Sequence, residues 1–145
     1  ASGRDVAAVL DVMATPQDRE ARIRGPVSHA MTDLTGVGLA GHVRAIAVAS
    51  GLDVELILND VPVYSGARSL SDAGIASTLM PANARDAPTD GLRDPLLHDP
   101  QTAGGLLAAL PAEVLDDTLT ALEMQGRTGF VIGSCTAGSG RIVIS

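Results

Sequence analysis

The chain of 145 residues is 46% hydrophobic and 19% charged, with a formal net charge of −7. This is about one domain, long enough to bury roughly two-thirds of its unfolded surface and too apolar to stay disordered. The acidic balance argues against a nucleic-acid binder, which needs clustered Arg and Lys. With Tyr64 and Phe130 as its sole aromatics, the chain also lacks a base-stacking platform. All ten basic residues are Arg, so a phosphate loop ending in Lys and a Schiff-base lysine are excluded. The single cysteine, Cys135, excludes an internal disulfide and a Cys-rich metal site, and one thiol fits a cytoplasmic protein. No apolar run approaches the roughly 18 residues of a membrane span, and no basic-then-apolar leader opens the chain. The first residue is Ala1 rather than Met, which suggests a processed chain or an excised fragment.

Val6, Val9, Leu10 and Met13 fall at helical spacing and predict a short amphipathic helix over 5–13. Thr15-Pro16, followed by Gln17, Asp18 and Glu20, reads as an N-cap, a proline at the first position and an acidic first turn. That second helix ends by Gly25-Pro26. An extended piece, Val27 to Met31, leads into Thr32-Asp33-Leu34-Thr35-Gly36-Val37-Gly38. Leu39, Val43, Ile46 and Ala47 then predict a helix from Gly38 to Ser50, stopped at Gly51. A strand is expected over 53–58 and a short helix over 65–74. Met80 to Gln101 holds four of the eight prolines, with Asp, Asn and Gly between them, and predicts a long irregular connection. Beyond it, Gly105 to Leu110 reads as a buried strand. Pro111 to Gln125 reads as a helix with Val114, Leu115, Thr118, Leu119 and Leu122 on one face. Phe130–Ile132 and Arg141–Ile144 complete the pattern as closing strands. Interleaved helices and strands imply an α+β (α/β layered) domain, a mixed β-sheet with helices packed on it.

Gly36-Val37-Gly38-Leu39-Ala40-Gly41 satisfies G-x-G-x-x-G at a helix start, and Asp60 stands near where a dinucleotide fold keeps its ribose acid. The approach argues otherwise. A dinucleotide-binding strand is a buried apolar run, whereas Ser28, His29, Thr32, Asp33 and Thr35 crowd this one. Asp33 would also repel a pyrophosphate unless a cation lay between them. With Mg²⁺ the same residues make sense: free N–H groups and glycines for phosphate, and a carboxylate for the metal. The alternative is that Asp33 or Thr35 simply caps the helix. A second polar segment, Leu97-His98-Asp99-Pro100-Gln101-Thr102-Ala103-Gly104-Gly105, precedes a buried strand and suits either a cleft-lining loop or an ordinary turn.

Taken together, Thr32-Asp33-Leu34-Thr35-Gly36-Val37-Gly38-Leu39-Ala40-Gly41-His42, Ser77-Thr78-Leu79, Asn83, and Asp99-Pro100-Gln101-Thr102-Ala103-Gly104-Gly105-Leu106-Leu107 resemble the C-terminal half of the selenide, water dikinase (selenophosphate synthetase) family. The likeness runs from about His29 to Ile144. It implies a C-terminal domain like that of aminoimidazole ribonucleotide synthetase, with residues 1–25 as leading helices and 26–145 as the domain body. It also implies an enzyme that converts ATP, selenide and water to selenophosphate, AMP and phosphate with Mg²⁺, and is a homodimer when full-length. The family's metal-ligand role carries over to Asp33. Nucleotide, phosphate or cleft-lining roles carry over to Thr32, Thr35, Gly36, Gly38, Asp99, Gln101, Thr102, Gly104 and Gly105. Three positions depart from the family: Val37 and His98 where Phe is common, and Ala103 where Ser is usual.

The family's N-terminal half, with its reactive Cys or selenocysteine, its Lys, two further metal aspartates and most nucleotide contacts, has no counterpart here. The implied partner is therefore an ATP-binding half outside this chain, without which the fragment should be inactive. Two other readings stand beside this one: a non-catalytic ligand-binding or regulatory module, and a related synthetase with a different acceptor. Cys135 reads as a small buried hydrophobe. His29, His42 and His98 lack the spacing of a zinc site, and His42 reads as a structural or half-exposed helix residue.

Overall fold

The computed structural model describes residues 1–102 and 104–145. Helix α1 (Gly3–Met13) opens with a capping box, in which the Ser2 hydroxyl accepts the Asp5 N–H and the Asp5 carboxylate accepts the Ser2 N–H. Thr15 does not cap the next helix as its sequence suggested. Its hydroxyl donates to the Asp11 carbonyl at 2.8 Å and closes α1, so α2 (Asp18–Arg24) begins with no side-chain cap. The expected apolar face of α1 is only partly covered, leaving Val6 and Leu10 exposed.

The core forms where α3 (Gly38–Ser50) lies on a mixed sheet. Leu39, Ala40, Val43 and Ala47, at the helical spacing of one face, pack with Val54, Leu56, Ile142 and Ile144, and Ala87 and Leu97 close the cluster. The helix stops at Gly51, whose φ of 64° is the left-handed conformation that glycine adopts without penalty. Strand β2 (Leu52–Leu56) follows at once and becomes an interior strand of the sheet.

Helix α4 (Ala67–Asp72) comes next, and then the proline-rich stretch, which is not the irregular connection its composition suggested. It holds α5 (Met80–Asp86), the two-residue strand β3 (Asp90–Gly91) and a 3-10 turn at Pro95–Leu97. Pro81 and Pro95 each sit in the first turn of a helical segment, where the missing N–H costs nothing and the fixed φ favours the helix. Here proline starts structure rather than breaking it.

Strand β4 (Leu106–Ala109) returns beside β1 (Ala30–Asp33), and the two form a separate antiparallel pair, Ala30 opposite Ala109 and Asp33 opposite Leu106. Helix α6 (Leu115–Met124) follows a 3-10 turn and buries Thr118 and Leu122 as its apolar face predicts. The closing strands are β5 (Gly133–Ala137) and β6 (Ile142–Ile144), giving the four-stranded order β3-β6-β2-β5 with both parallel and antiparallel pairs. The α+β architecture of a mixed sheet under packed helices is what the residues form. Phe130–Ile132 falls outside β5, however. Gly133 lies so close to the Glu55 carbonyl that a side chain would collide there, and the ladder with β2 begins at this glycine. Cys135 is exposed rather than buried, because β5 is left uncovered on both faces from Ser134 to Ala137. Desolvation pushes its thiol pKa up, away from the reactive thiolate. Among the described residues no helix is long and apolar enough to cross a membrane.

The turn between β5 and β6 is tied by Asp53, whose carboxylate oxygen accepts the N–H groups of Ser139, Gly140 and Arg141 at 2.7, 3.1 and 2.9 Å. The bonds from Arg141 and Ser139 hold its pKa below the usual carboxylate value. Stability from such a group is present above the unfolded-state pKa of about 3.9 and is lost as pH falls through the lower folded-state value. Asp53→Asn is thus expected to be less stable than the parent at pH 7. The gap should shrink on acidification below about pH 4, as read by urea unfolding across a pH series.

Candidate functional site

Two loops meet at the end of the β1–β4 pair. Past Asp33 the pairing continues into irregular backbone: Leu34 N–H donates to the Gly105 carbonyl at 2.9 Å, and Gly104 N–H donates to that of Leu34 at 3.0 Å. Gln101 N–H donates to the Thr35 carbonyl at 3.0 Å. The two polar segments that the sequence sets far apart are thereby stitched together, main chain to main chain. Glycine is required at two of the contacts. A Cβ at Gly38, whose φ is 71°, would stand 2.8 Å from the His98 carbonyl carbon. One at Gly104 would stand 2.6 Å from Gln101 Cβ and 3.1 Å from the Leu34 oxygen.

Asn83 clips the two loops a second time. Its amide nitrogen donates to the Gly36 carbonyl at 2.9 Å and to the His98 carbonyl at 3.0 Å, using both protons. The second loop is held from its other side by Asp94. This buried carboxylate accepts Leu96 N–H at 3.0 Å to cap the Pro95–Leu97 turn, and it pairs with Arg68.

Within the first loop the residues have separate fates. Asp33 is exposed at the strand end, and among the described residues no donor engages its carboxylate. Thr32 is half-buried, and its hydroxyl donates to the Asp33 carbonyl at 3.1 Å. Thr35 and Gly36 are exposed, and Gly38 is buried against His98. Neither Asp33 nor Thr35 caps α3, which starts after Val37 with no side-chain cap. In the second loop Asp99 accepts Ser77 N–H at 3.2 Å, Gln101 donates to the Asp99 carbonyl at 3.2 Å, and Thr102 is exposed. Ala103 lies outside the described residues. No three His, Cys, Asp or Glu side chains gather as a metal site among those described, so Asp33 stands as a single carboxylate.

A cavity of about 1300 Å³ opens beside the second loop. Asp99, Gln101, Gly104 and Gly105 line it, whereas Thr32, Asp33, Thr35, Gly36, Gly38 and Thr102 do not. Its wall is largely apolar, with Val43, Val54 and Leu119 among its side chains, and Arg24, Arg68 and Arg127 also reach it.

Two residues gain roles that sequence reasoning missed. Asn83 was among the residues that carried the family resemblance, but nothing local pointed to its two carbonyl partners. His42 did carry one: it sits in the first turns of α3, where side chains lean toward the helix N-terminus and so toward the Asp33 turn. Its Nε2 accepts Thr35 N–H at 2.9 Å.

A profile of the family described as AIR synthase related protein, C-terminal domain, matches residues 4–145. The chain belongs to this family. Selenide, water dikinase of Bdellovibrio bacteriovorus is 32% identical over 123 residues, covering 80% of this chain and 35% of that protein. Among solved structures, the hydrogenase maturation protein HypE of E. coli has a TM-score of 0.59 at 20% identity, over 82% of this chain and 32% of that one. A HypE structure in complex with ATP gives 0.58 at 25% identity, over 81% and 32%. This AIR synthase related domain thus spans about a third of the length of the relatives it matches.

His98 stands where selenide, water dikinases commonly have Phe, and this domain treats it as a hydrophobe. It is 8% exposed, with Nδ1 buried and without a partner among the described residues. Desolvation lowers its pKa against the opposing pull of Asp94. The lowered pKa costs stability as pH falls below the unfolded-state value of about 6.5. His98→Phe should therefore stabilise the domain by about 1 kcal/mol at pH 7 and by more at pH 5.5, measured by urea unfolding at both. Asn83→Asp should act oppositely, because it replaces one donor pair with a charge facing two carbonyls. A loss of about 2 kcal/mol is expected, exceeding that of Asn83→Ala.

Proposed function

We propose that this chain is the C-terminal domain of an ATP-dependent selenophosphate synthetase, acting with an N-terminal ATP-binding half outside it. The full enzyme would take ATP, selenide and water to selenophosphate, AMP and phosphate, as a homodimer. One observation carries the reading: the two motifs shared with selenide, water dikinases are joined backbone to backbone into one paired loop, with Asp33 exposed at its end. The name of the Bdellovibrio relative supports the reaction, and the ATP-bound HypE neighbour supports the use of ATP alone.

Asp33 fits a share of a Mg²⁺ site. The ion takes oxygen ligands in octahedral geometry and is usually held by one or two carboxylates with water and substrate phosphates. A single uncommitted carboxylate supplies one such oxygen, and the remaining positions fall to water, ATP and the other half. When bound, the ion would neutralise charge on the phosphate oxygens. The chain's own part is positional. Gly36, with open space around it, keeps the turn slim enough for phosphate to approach, Gly38 lets the turn pack on His98, Thr32 and Thr35 flank the carboxylate, and Gln101, Gly104 and Gly105 buttress the turn from behind. Thr102 stands exposed at the rim of the second loop. Asp99 serves the loop itself, holding Ser77.

Calorimetric titration with Mg²⁺-ATP, of the chain alone and mixed with a separately expressed N-terminal half of a selenide, water dikinase, tests this reading. Binding and selenide-dependent AMP formation are expected only in the mixture, and Asp33→Asn should lower AMP formation by about 100-fold. The substitution is at an exposed residue, so the fold should survive it. A silent mixture, or an Asp33→Asn mixture as active as the parent, would overturn the proposal.

A further inference from the structure

The N–H and the hydroxyl of Thr35 both lie beside one atom. The N–H lies 2.9 Å from His42 Nε2 and the hydroxyl oxygen 3.2 Å from the same nitrogen. A backbone N–H can only donate, so Nε2 must present its lone pair. The imidazole is then neutral with its proton on Nδ1. That nitrogen faces the Thr32 hydroxyl at 3.5 Å, and the Thr32 hydroxyl in turn donates to the Asp33 carbonyl. The single lone pair of Nε2 is then taken by the Thr35 N–H, and the Thr35 hydroxyl beside it keeps a proton that can turn elsewhere.

We propose that His42 is a positioning residue for the Asp33 turn: its ring, held as the Nδ1–H tautomer, accepts the Thr35 N–H on Nε2 and so fixes the backbone two residues beyond Asp33. This rests on the reading of Asp33 as a metal ligand and refines it. The Thr35 N–H is thereby withdrawn from any ligand, as is the Gly38 N–H, which donates to the Thr35 carbonyl at 3.1 Å.

The geometry also dictates which substitutes can serve. Glutamine can place its side-chain oxygen near the position of Nε2, whereas asparagine is too short and alanine has no acceptor. The first readout needs no variant: two-bond proton–nitrogen correlation of the His42 ring in the intact chain, without Mg²⁺ or ATP and assigned against His29→Gln. It should show Nδ1 protonated and Nε2 bare. In the same buffer the Thr35 amide should exchange about tenfold faster in His42→Ala and His42→Asn, and return near the parent rate in His42→Gln. A ring protonated on Nε2, or a Thr35 amide indifferent to His42→Ala, would overturn the proposal. Neither readout involves metal, nucleotide or the other half of an enzyme, so they succeed or fail independently of the role of Asp33.

Discussion

The pairing of Leu34 and Thr35 with Gln101, Gly104 and Gly105 is the contact on which the candidate site depends. It joins stretches separated by α3, β2, α4, α5 and β3, so each bond closes a long loop of chain. Closing such a loop for three hydrogen bonds alone would be unfavourable, since each contributes only about 1 kcal/mol net. The entropy is already spent when β1 pairs with β4 and α3 docks on the sheet. The loop bonds then form between groups that are already neighbours. Core packing and site geometry are therefore one problem. Leu39 and Ala40, in the first turn of α3, belong to the core cluster, and Gly38 immediately before them touches His98.

Around Asp33 the polar groups are committed one after another while its carboxylate is left free. Thr32 holds the Asp33 carbonyl, Thr35 holds His42 and Gln101, and the Gly36 carbonyl takes a proton from Asn83. A turn of exposed, glycine-rich backbone would otherwise sample many conformations. Tying its neighbours lowers the cost of ordering the one group that stays open to a ligand. The two aspartates of the paired motifs diverge in the same spirit. Asp99 spends an oxygen on Ser77 N–H and shapes its loop, whereas Asp33 spends none.

What the sequence made legible was what depends on near neighbours. The spacing of Leu39, Val43 and Ala47 announced α3, Gly51 its end, and Thr118 and Leu122 the buried face of α6. The motif residues pointed to the two loops, though not to their pairing, which no local pattern encodes. Pro81 and Pro95 misled because proline breaks a helix in its interior and favours it in its first turn, and composition does not say which. Cys135 misled for a different reason. A thiol's usual burial does not say which part of a sheet lies beyond the packed helices, and Ser134 to Ala137 all remain exposed. Asn83 acts on backbone carbonyls, groups every residue carries, so its partners left no trace in the sequence.

On the proposed reading, a single free carboxylate has a consequence for how the parts of the enzyme would cooperate. Mg²⁺ parts reluctantly from its water, and one carboxylate replaces one water at most, so this domain alone would hold the ion weakly. Ligands brought by ATP and by the other half would add to the same ion, and each would raise the affinity for the rest. Metal, nucleotide and domain closure would then form one cooperative step rather than three. Asp33 would have little to hold until its partners arrived. The rigidity of its turn would be the domain's contribution to that step, because a carboxylate already in position loses less freedom when the ion is captured. In that arrangement the hydrogen bonds of Asn83 and His42, neither of which touches the Asp33 carboxylate, bear on the affinity of a site built mostly elsewhere.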